Sequence, residues 1–252
     1  MPAWLFRLLM VVSGVLFMFV CYFFGIRPYA YRWKPCAGCR AYGVCMPVGY
    51  AIHGIDVSHY QERIDWAALS QAQTSEFPLC FAFIKATEGG DLADECFAYN
   101  FDEARRNGFI RGAYHFFIPS TPPEKQADFF IRTVRLESGD LPPVLDVEQR
   151  GQKTAAELQA DVRKWLELVE RHYGIKPILY TSYRFKQKYL SDSIFDAYPY
   201  WIAHYYVDAV RYEGPWLFWQ HTDVGSLPGI RHEVDLNVFR GSREQLQQLT
   251  LR

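Results

Sequence analysis

The sequence predicts an α/β fold: a single irregular, flattened β/α barrel preceded by a hydrophobic helix. Short runs of branched and aromatic residues alternate with amphipathic segments across roughly 200 residues, the pattern of parallel strands joined by helical crossovers. About eight such runs are present, the number that closes a barrel. Links between the runs after Tyr200 are too short for crossover helices, so the barrel should end partly antiparallel.

The first element is Leu8 to Ile26, 19 uncharged apolar residues with Arg7 before them and Arg27, Arg32 and Lys34 after. At ~1.5 Å per residue such a helix crosses ~30 Å of hydrocarbon, so it reads as an uncleaved membrane anchor. A cleavable signal peptide is the alternative, but it calls for a shorter apolar stretch ending in a small-x-small site. Cys21-Tyr22-Phe23-Phe24 does not supply one. Cys21 as a lipid-modified residue is disfavoured by the bulk of Val20 before it. The excess of Lys and Arg after the span argues, on charge alone, against an exported domain.

Segments 1–27 (anchor or signal), 28–50 (cysteine-containing linker), 51–245 (barrel) and 246–252 (tail) describe the chain. The linker contains Pro28, Pro35, Pro47 and several Gly without periodicity. Its Cys36, Cys39 and Cys45 suggest a disulfide with one odd thiol rather than a zinc site, because no second CxxC follows. Cys80, in an apolar run, reads as a small buried hydrophobe.

Strands are expected at Ile52 to Val57, Leu79 to Ala86, Arg111 to Phe117, Pro143 to Val147, Pro177 to Thr181, Tyr200 to Ala203, Trp216 to Gln220 and Glu233 to Val238. Helices are expected at Asp65 to Gln71, Ala93 to Arg106, Pro122 to Glu137 and Ala155 to Tyr173. Thr121 with Glu124, and Thr154 with Glu157, should cap the last two, and Gly174 should end the fourth.

With 27 Lys+Arg against 28 Asp+Glu, no charge excess points to nucleic acid. Half the residues are hydrophobic, which excludes a disordered chain. An aromatic share of 17% leaves rings to line a cleft as well as a core.

The placement of acids against the strands carries the functional information. Asp56, Glu88, His115, Asp146 with Glu148, and Asp235 fall in or beside five different strands. The carboxyl ends of barrel strands share one face, where an active site sits. Asp146 and Glu148 are two apart, so on a continuing strand both point the same way. Two close carboxyls in a sheltered site cannot both ionise freely, so one can act as an acid beside the other's negative charge. Glycosidic cleavage requires that pair. Of Tyr114 and His115, alternation puts one inward and one outward. Trp201, Tyr205 and Trp219 could stack on sugar rings or belong to the core. No GxSxG elbow accompanies Ser58 and His59, which excludes a serine hydrolase of that type.

Eight segments in order resemble glycoside hydrolase family 25, the Chalaropsis-type lysozymes. They are His53–Gln61 (HGIDVSHYQ), Phe83–Gly89 (FIKATEG), Gly112–Phe117 (GAYHFF), Leu145–Glu148 (LDVE), Pro177–Thr181 (PILYT), Trp201–Tyr205 (WIAHY), Trp219-Gln220 and Val234–Asn237 (VDLN). The resemblance implies an irregular, TIM-like β/α barrel that cleaves the β-1,4 bond between N-acetylmuramic acid and N-acetylglucosamine in peptidoglycan. It implies Glu148 as general acid/base, Asp146 as the carboxylate that orients the substrate acetamide, and Asp56 and Asp235 as the remaining catalytic acids. It places Glu88, Tyr114, His115, Tyr180, Trp201, Tyr205, Trp219 and Gln220 against the glycan. The implied mechanism is substrate-assisted and needs neither metal nor organic cofactor. A peptidoglycan substrate puts the domain outside the cytoplasm, overriding the charge argument. A non-catalytic wall-binding protein and a hydrolase of another N-acetylated glycan such as chitin remain as alternatives.

Overall fold

A computed structural model describes residues 2–26, 36, 38–71 and 76–252. Arg27, Arg32, Lys34, Pro28 and Pro35 lie outside the described residues. The chain divides into two compact units, Met1–Cys39 and Arg40–Arg252. In the first, helix α1 (Ala3–Val20) runs on as a π-helical turn over Cys21–Ile26. Its apolar stretch Ala3–Gly25 has a mean hydropathy of 2.4 and none of its most apolar window is buried, so it is long and apolar enough to cross a membrane. Cys36 belongs to a disulfide.

The second unit is a closed eight-stranded barrel with flanking helices. Its strands are β1 (Ile52–Val57), β2 (Leu79–Glu88), β3 (Ile110–Phe116), β4 (Val144–Asp146), β5 (Ile178–Ser182), β6 (Tyr200–Ala203), β7 (Phe218–Gly225) and β8 (Val234–Phe239). Strands β1 to β7 are parallel in sequence order, and β8 closes the ring antiparallel to both β7 and β1. The link from β7 to β8, residues 226–233, produces this ending: eight residues cannot hold the helix that a parallel return requires, so β8 reverses instead.

Outside the barrel lie α2 (Trp66–Gln71), α3 (Phe97–Arg106), α4 (Pro123–Thr133), α5 (Ala155–Tyr173), α6 (Tyr183–Tyr189) and α7 (Arg243–Gln248). Thr154 and Glu157 form the expected capping box of α5, and Gly174 ends it with φ of 70°. The box expected at Thr121 is absent. Pro122 occupies the N-cap of α4 and offers no side-chain acceptor, so the fixed φ of proline and not a hydroxyl starts this helix. Helix α3 begins at Phe97 rather than Ala93, because Leu92–Ala93 pairs with the end of β2 and the Asp94 carboxylate accepts from Cys96 N–H. Helices α6 and α7, of seven and six residues, are too short to show periodicity in sequence, although Ser182 and Ser242 cap them. The buried Leu246 ties α7 to the barrel, so the fold continues past residue 245, and a two-stranded ribbon, Arg40–Ala41 with Val44–Cys45, precedes residue 51.

Alternation divides each strand between two environments. Ile55, Ala82, Ile84, Ala113, Leu145, Leu179 and Leu236 face outward into the layer shared with the helices. Phe81, Phe83, Val144, Ile178, Trp201, Phe218 and Phe239 fill the barrel interior. Two inward glycines make room for the rings. A Cβ on Gly54 would lie 2.5 Å from the Phe81 ring, and one on Gly112 would lie 2.6 Å from Phe83 and 3.1 Å from Leu141 Cβ. Gly112→Ala therefore overpacks the interior and should destabilise by about 1–3 kcal/mol. A lower urea midpoint at unchanged m-value is the measurement.

Candidate active site

The aromatic plug fills the barrel only part way, and polar residues continue the same inward rows toward the carboxyl ends of β1 to β7. In β1 the row ends in Asp56, in β2 Lys85 follows Phe81 and Phe83, and in β3 Tyr114 and Phe116 follow Gly112. In β4 Asp146 follows Val144, in β5 Tyr180 follows Ile178, and in β7 Gln220 follows Phe218. Because β8 runs the opposite way, Asp235 near its start reaches the same end. These residues line an open cavity of about 200 Å³ together with Glu148, Trp201, Tyr205, Ser58, Tyr60 and Gln61.

Asp56, Asp146, Glu148 and Asp235 thus meet at one mouth, as the strand-end argument requires. Regular pairing of β4 stops at Asp146, but Val147 N–H still donates to Tyr180 O at 3.0 Å, which carries the alternation on to Glu148. Asp146 is 7% exposed, and its Oδ1 is a buried acceptor with no hydrogen-bond partner. Glu148 is exposed at the rim. Burial, then the negative charges of Glu148 and Asp56, push the Asp146 carboxyl well above the usual range. Burial also raises Glu148, while the Tyr180 hydroxyl and the Lys85 ammonium oppose it.

Asp56 and Asp235 stand directly opposite each other across β1 and β8. Asp56 Oδ2 accepts from Asn237 Nδ2 at 2.7 Å and from Gln220 Nε2 at 2.8 Å. Burial raises both carboxyls, and the charge of Asp56 raises Asp235 further. Two close carboxyls resist ionising together, and the negative charge of Asp56 makes Asp235 the member of the pair that favours its protonated form.

Carboxyls raised in the native state bind more protons than their unfolded counterparts. Their stabilisation is full below the unfolded value of about 4 and is lost as pH rises through the native values. Asp235→Asn preserves the geometry, with Oδ1 accepting from Gln220 and Nδ2 donating to Asp56, but removes that titration. It should raise the melting temperature at neutral pH and flatten the decline of stability above about pH 4. Calorimetry across that range tests it.

The other predicted contacts divide by parity. Tyr114 points into the cavity and His115 points away from it. His115 is buried between strand and helix, with Nδ1 2.8 Å from Thr87 Oγ1, Nε2 3.0 Å from Gln126 Oε1 and its ring stacked on Trp165. It is a core histidine, not a glycan contact. Trp219 likewise faces outward, donating to His204 O at 2.8 Å and packing with Tyr200, Ile202 and Val238, while its neighbour Gln220 faces in. Glu88 is not among the residues that line the cavity: the bulge between Lys85 and Thr87 turns it to the side of Lys85, and it is held there on Lys85 Nζ at 2.6 Å.

Tyr180, Tyr205 and Trp201 do line the cavity. Trp201 is anchored by Nε1 to Asn237 Oδ1 at 2.8 Å and stacks on Phe83. Gln220 lines it too, but its amide is saturated. Oε1 accepts from Tyr180 at 2.7 Å and Tyr205 at 2.6 Å, and Nε2 donates to Asp56 and Asp235, both at 2.8 Å, which leaves nothing for a ligand. Lys85 and Asn237 were not singled out from sequence. The signal existed: each shares the inward parity of a recognised residue, Lys85 that of Phe81 and Phe83, Asn237 that of Asp235. Among the described residues no group of three or more His, Cys, Asp or Glu could hold a metal ion.

The sequence and the barrel match known proteins. The sequence profile of Glycosyl hydrolases family 25 matches residues 55–230. YegX of Escherichia coli strain K12 is 44% identical over 227 residues, covering 90% of this chain and 79% of that protein. Lysozyme M1 of Streptomyces globisporus is 33% identical over 213 residues, covering 79% and 71%. The structure of a family 25 glycosyl hydrolase from Bacillus anthracis superposes with a TM-score of 0.74 at 34% identity, covering 81% of this chain and 96% of that one. A bacterial lysozyme from Streptomyces coelicolor gives 0.73 at 30% identity, covering 80% and 98%. With the profile spanning well over half its length, this chain belongs to glycosyl hydrolase family 25.

Proposed function

We propose that the protein is a muramidase that hydrolyses the β-1,4 bond between N-acetylmuramic acid and N-acetylglucosamine, tethered by its N-terminal helix with the barrel outside the cytoplasm. One observation carries the chemistry: Asp146, with an unpartnered acceptor, and Glu148, at the open rim, share a cavity wall two residues apart. Relatives named as lysozymes and as N,O-diacetylmuramidases support the substrate. Helix α1 supports the tether by length and hydropathy; a cleaved signal that releases the barrel is the alternative.

In the empty cleft Asp146 and Glu148 share their protons, and desolvation holds one on Asp146. An acetamide N–H donating to Asp146 Oδ1 supplies the missing hydrogen bond and stabilises the ionised form. The proton then belongs on Glu148, placed to protonate the glycosidic oxygen. The acetamide oxygen attacks the anomeric carbon as the leaving oxygen takes that proton, and Asp146 stabilises the positive charge that develops on the acetamide. Glu148, now a carboxylate, accepts a proton from the water that opens the cyclic intermediate. No step calls for a metal or organic cofactor.

Mass spectrometry of fragments released from defined peptidoglycan tests this reading. Products with a reducing N-acetylmuramic acid end are expected. Saturable binding without chain shortening would mark a wall-binding protein, and release from chitin in preference to peptidoglycan would mark a different glycan substrate.

A further inference from the structure

Beyond the carboxyl ends of β1 and β2 a second cavity of about 200 Å³ adjoins the catalytic one, lined by His59, Lys85, Leu92, Ala93, Asp94 and Glu95. Lys85 lines both. At the rim the His59 ring, in the second cavity, packs on the Tyr60 ring, in the first, with centroids 4.2 Å apart. Lys85 is 7% exposed, and its ammonium donates to Glu88 Oε2 at 2.6 Å with the Phe116 ring 5.1 Å from Nζ. An ammonium has three hydrogens, and Glu88 is its hydrogen-bond acceptor among the described residues, so donors are left over at the junction of the two cavities. His59 is fixed beside it. Asp94 Oδ2 accepts from His59 N–H at 2.8 Å and lies 3.1 Å from Nδ1, while Asp94 Oδ1 accepts from Cys96 N–H. With Nδ1 carrying its hydrogen to Asp94, the neutral ring leaves Nε2 as an acceptor.

A donor at the junction, an acceptor on one wall and the aliphatic Leu92 and Ala93 beside them suit an amide chain with small side chains. Among the described residues the lining includes no Trp, Tyr or Phe, the faces on which a further sugar would stack. The substrate of the proposed reaction carries such an amide chain. On N-acetylmuramic acid the lactyl ether stands on the ring carbon next to the one bearing the acetamide, and its carboxyl is amide-linked to the peptide stem. Lys85 is the single Lys or Arg among the described residues that line the catalytic cavity, and it shares that cavity with Asp146, where the acetamide binds. We propose that the second cavity is a subsite for the peptide stem: Lys85 Nζ donates to the lactyl carbonyl oxygen, His59 Nε2 accepts an N–H of the stem, and Leu92 with Ala93 meets its first side chains. The proposal rests on the muramidase reading and adds that the enzyme recognises the peptide branch as well as the glycan. Glu88, which lines neither cavity, holds the ammonium at the junction.

The test is a binding titration of the full-length protein in detergent, ¹⁵N-labelled at histidine, with the His59 ring resonances assigned from their loss in His59→Gln. N-acetylmuramoyl dipeptide should move the His59 Nε2 resonance, N-acetylmuramic acid without peptide should move it less, and chitotriose should leave it in place. Ala93→Trp narrows the cavity from an exposed position and should weaken the muramoyl dipeptide about tenfold, the worth of one hydrogen bond. Leu92→Asp, also at an exposed position, gives the same reading should the first variant fail to fold. In turnover both variants should lower the ratio of kcat/KM for stem-bearing peptidoglycan to that for glycan stripped of peptide by an amidase, a ratio that a merely structural loss would not move. An unmoved His59 resonance with the muramoyl dipeptide, an equal response to chitotriose, or an unchanged ratio in both variants overturns the proposal. The titration is read without turnover, so a protein that binds the dipeptide at His59 but cleaves no glycan refutes the function and leaves the subsite standing. Cleavage of both glycans with His59 unmoved does the reverse.

Discussion

Glu148→Gln should lower kcat on peptidoglycan by about 10²- to 10⁴-fold, the usual contribution of a positioned general acid, with little change in KM. The amide keeps the size and hydrogen-bonding capacity of the side chain but has no proton to give the glycosidic oxygen. Glu148 is at the rim of the cavity rather than in the core, so the variant should fold, with a melting temperature at neutral pH no lower than that of the wild type because the carboxyl it replaces is a raised one. The size of the loss should depend on the leaving group. A substrate whose leaving oxygen is a good phenolate needs little protonation, so the variant should recover most of its first-step rate on such a substrate. Equal losses on both substrates would remove Glu148 from the acid role, and unchanged turnover on peptidoglycan would remove it from the reaction.

Much of this site can be read from the sequence because barrel strands write it in steps of two. Leu145-Asp146-Val147-Glu148 alternates core and cavity residues, and the acid at each strand end points to a common face once the strands are parallel. Three features escape that reading. At Tyr114-His115 and Trp219-Gln220 a polar or aromatic residue stands at both parities, and only packing decides which faces in. His115 goes outward because Gln126 and Trp165 wait in the helical layer, contacts that no local pattern encodes. At Glu88 one extra residue in a bulge cancels the parity that the strand otherwise keeps. Gln220 has the right parity, yet its role depends on four partners from β1, β5, β8 and the loop after β6. A short motif announces its position but not the fact that its hydrogen bonds are all used.

Asp146→Asn should cost about 10²- to 10³-fold in kcat, the usual loss when a group that stabilises developing charge is removed. Two neighbouring observations favour a role directed at the substrate acetamide rather than at the sugar carbon. Asp146 Oδ1 is a buried acceptor without a hydrogen-bond partner, which suits an amide N–H donor, and Glu148 two residues on is exposed at the rim. An asparagine in the same rotamer can still present an oxygen to that N–H, so binding should survive while the charge is lost. A double comparison isolates the charge effect. Removing the acetyl group from the substrate should slow the wild-type enzyme severely, because the internal nucleophile is gone. The same change should slow Asp146→Asn far less, because the charge that assists the nucleophile is already missing. If the two losses simply multiply, Asp146 acts independently of the acetamide, and the substrate-assisted route fails even though Glu148 stands. The variant should also be at least as stable as the wild type at neutral pH, since it removes a carboxyl that the fold keeps far from water. A fall in kcat at undiminished stability therefore locates the loss in the chemistry.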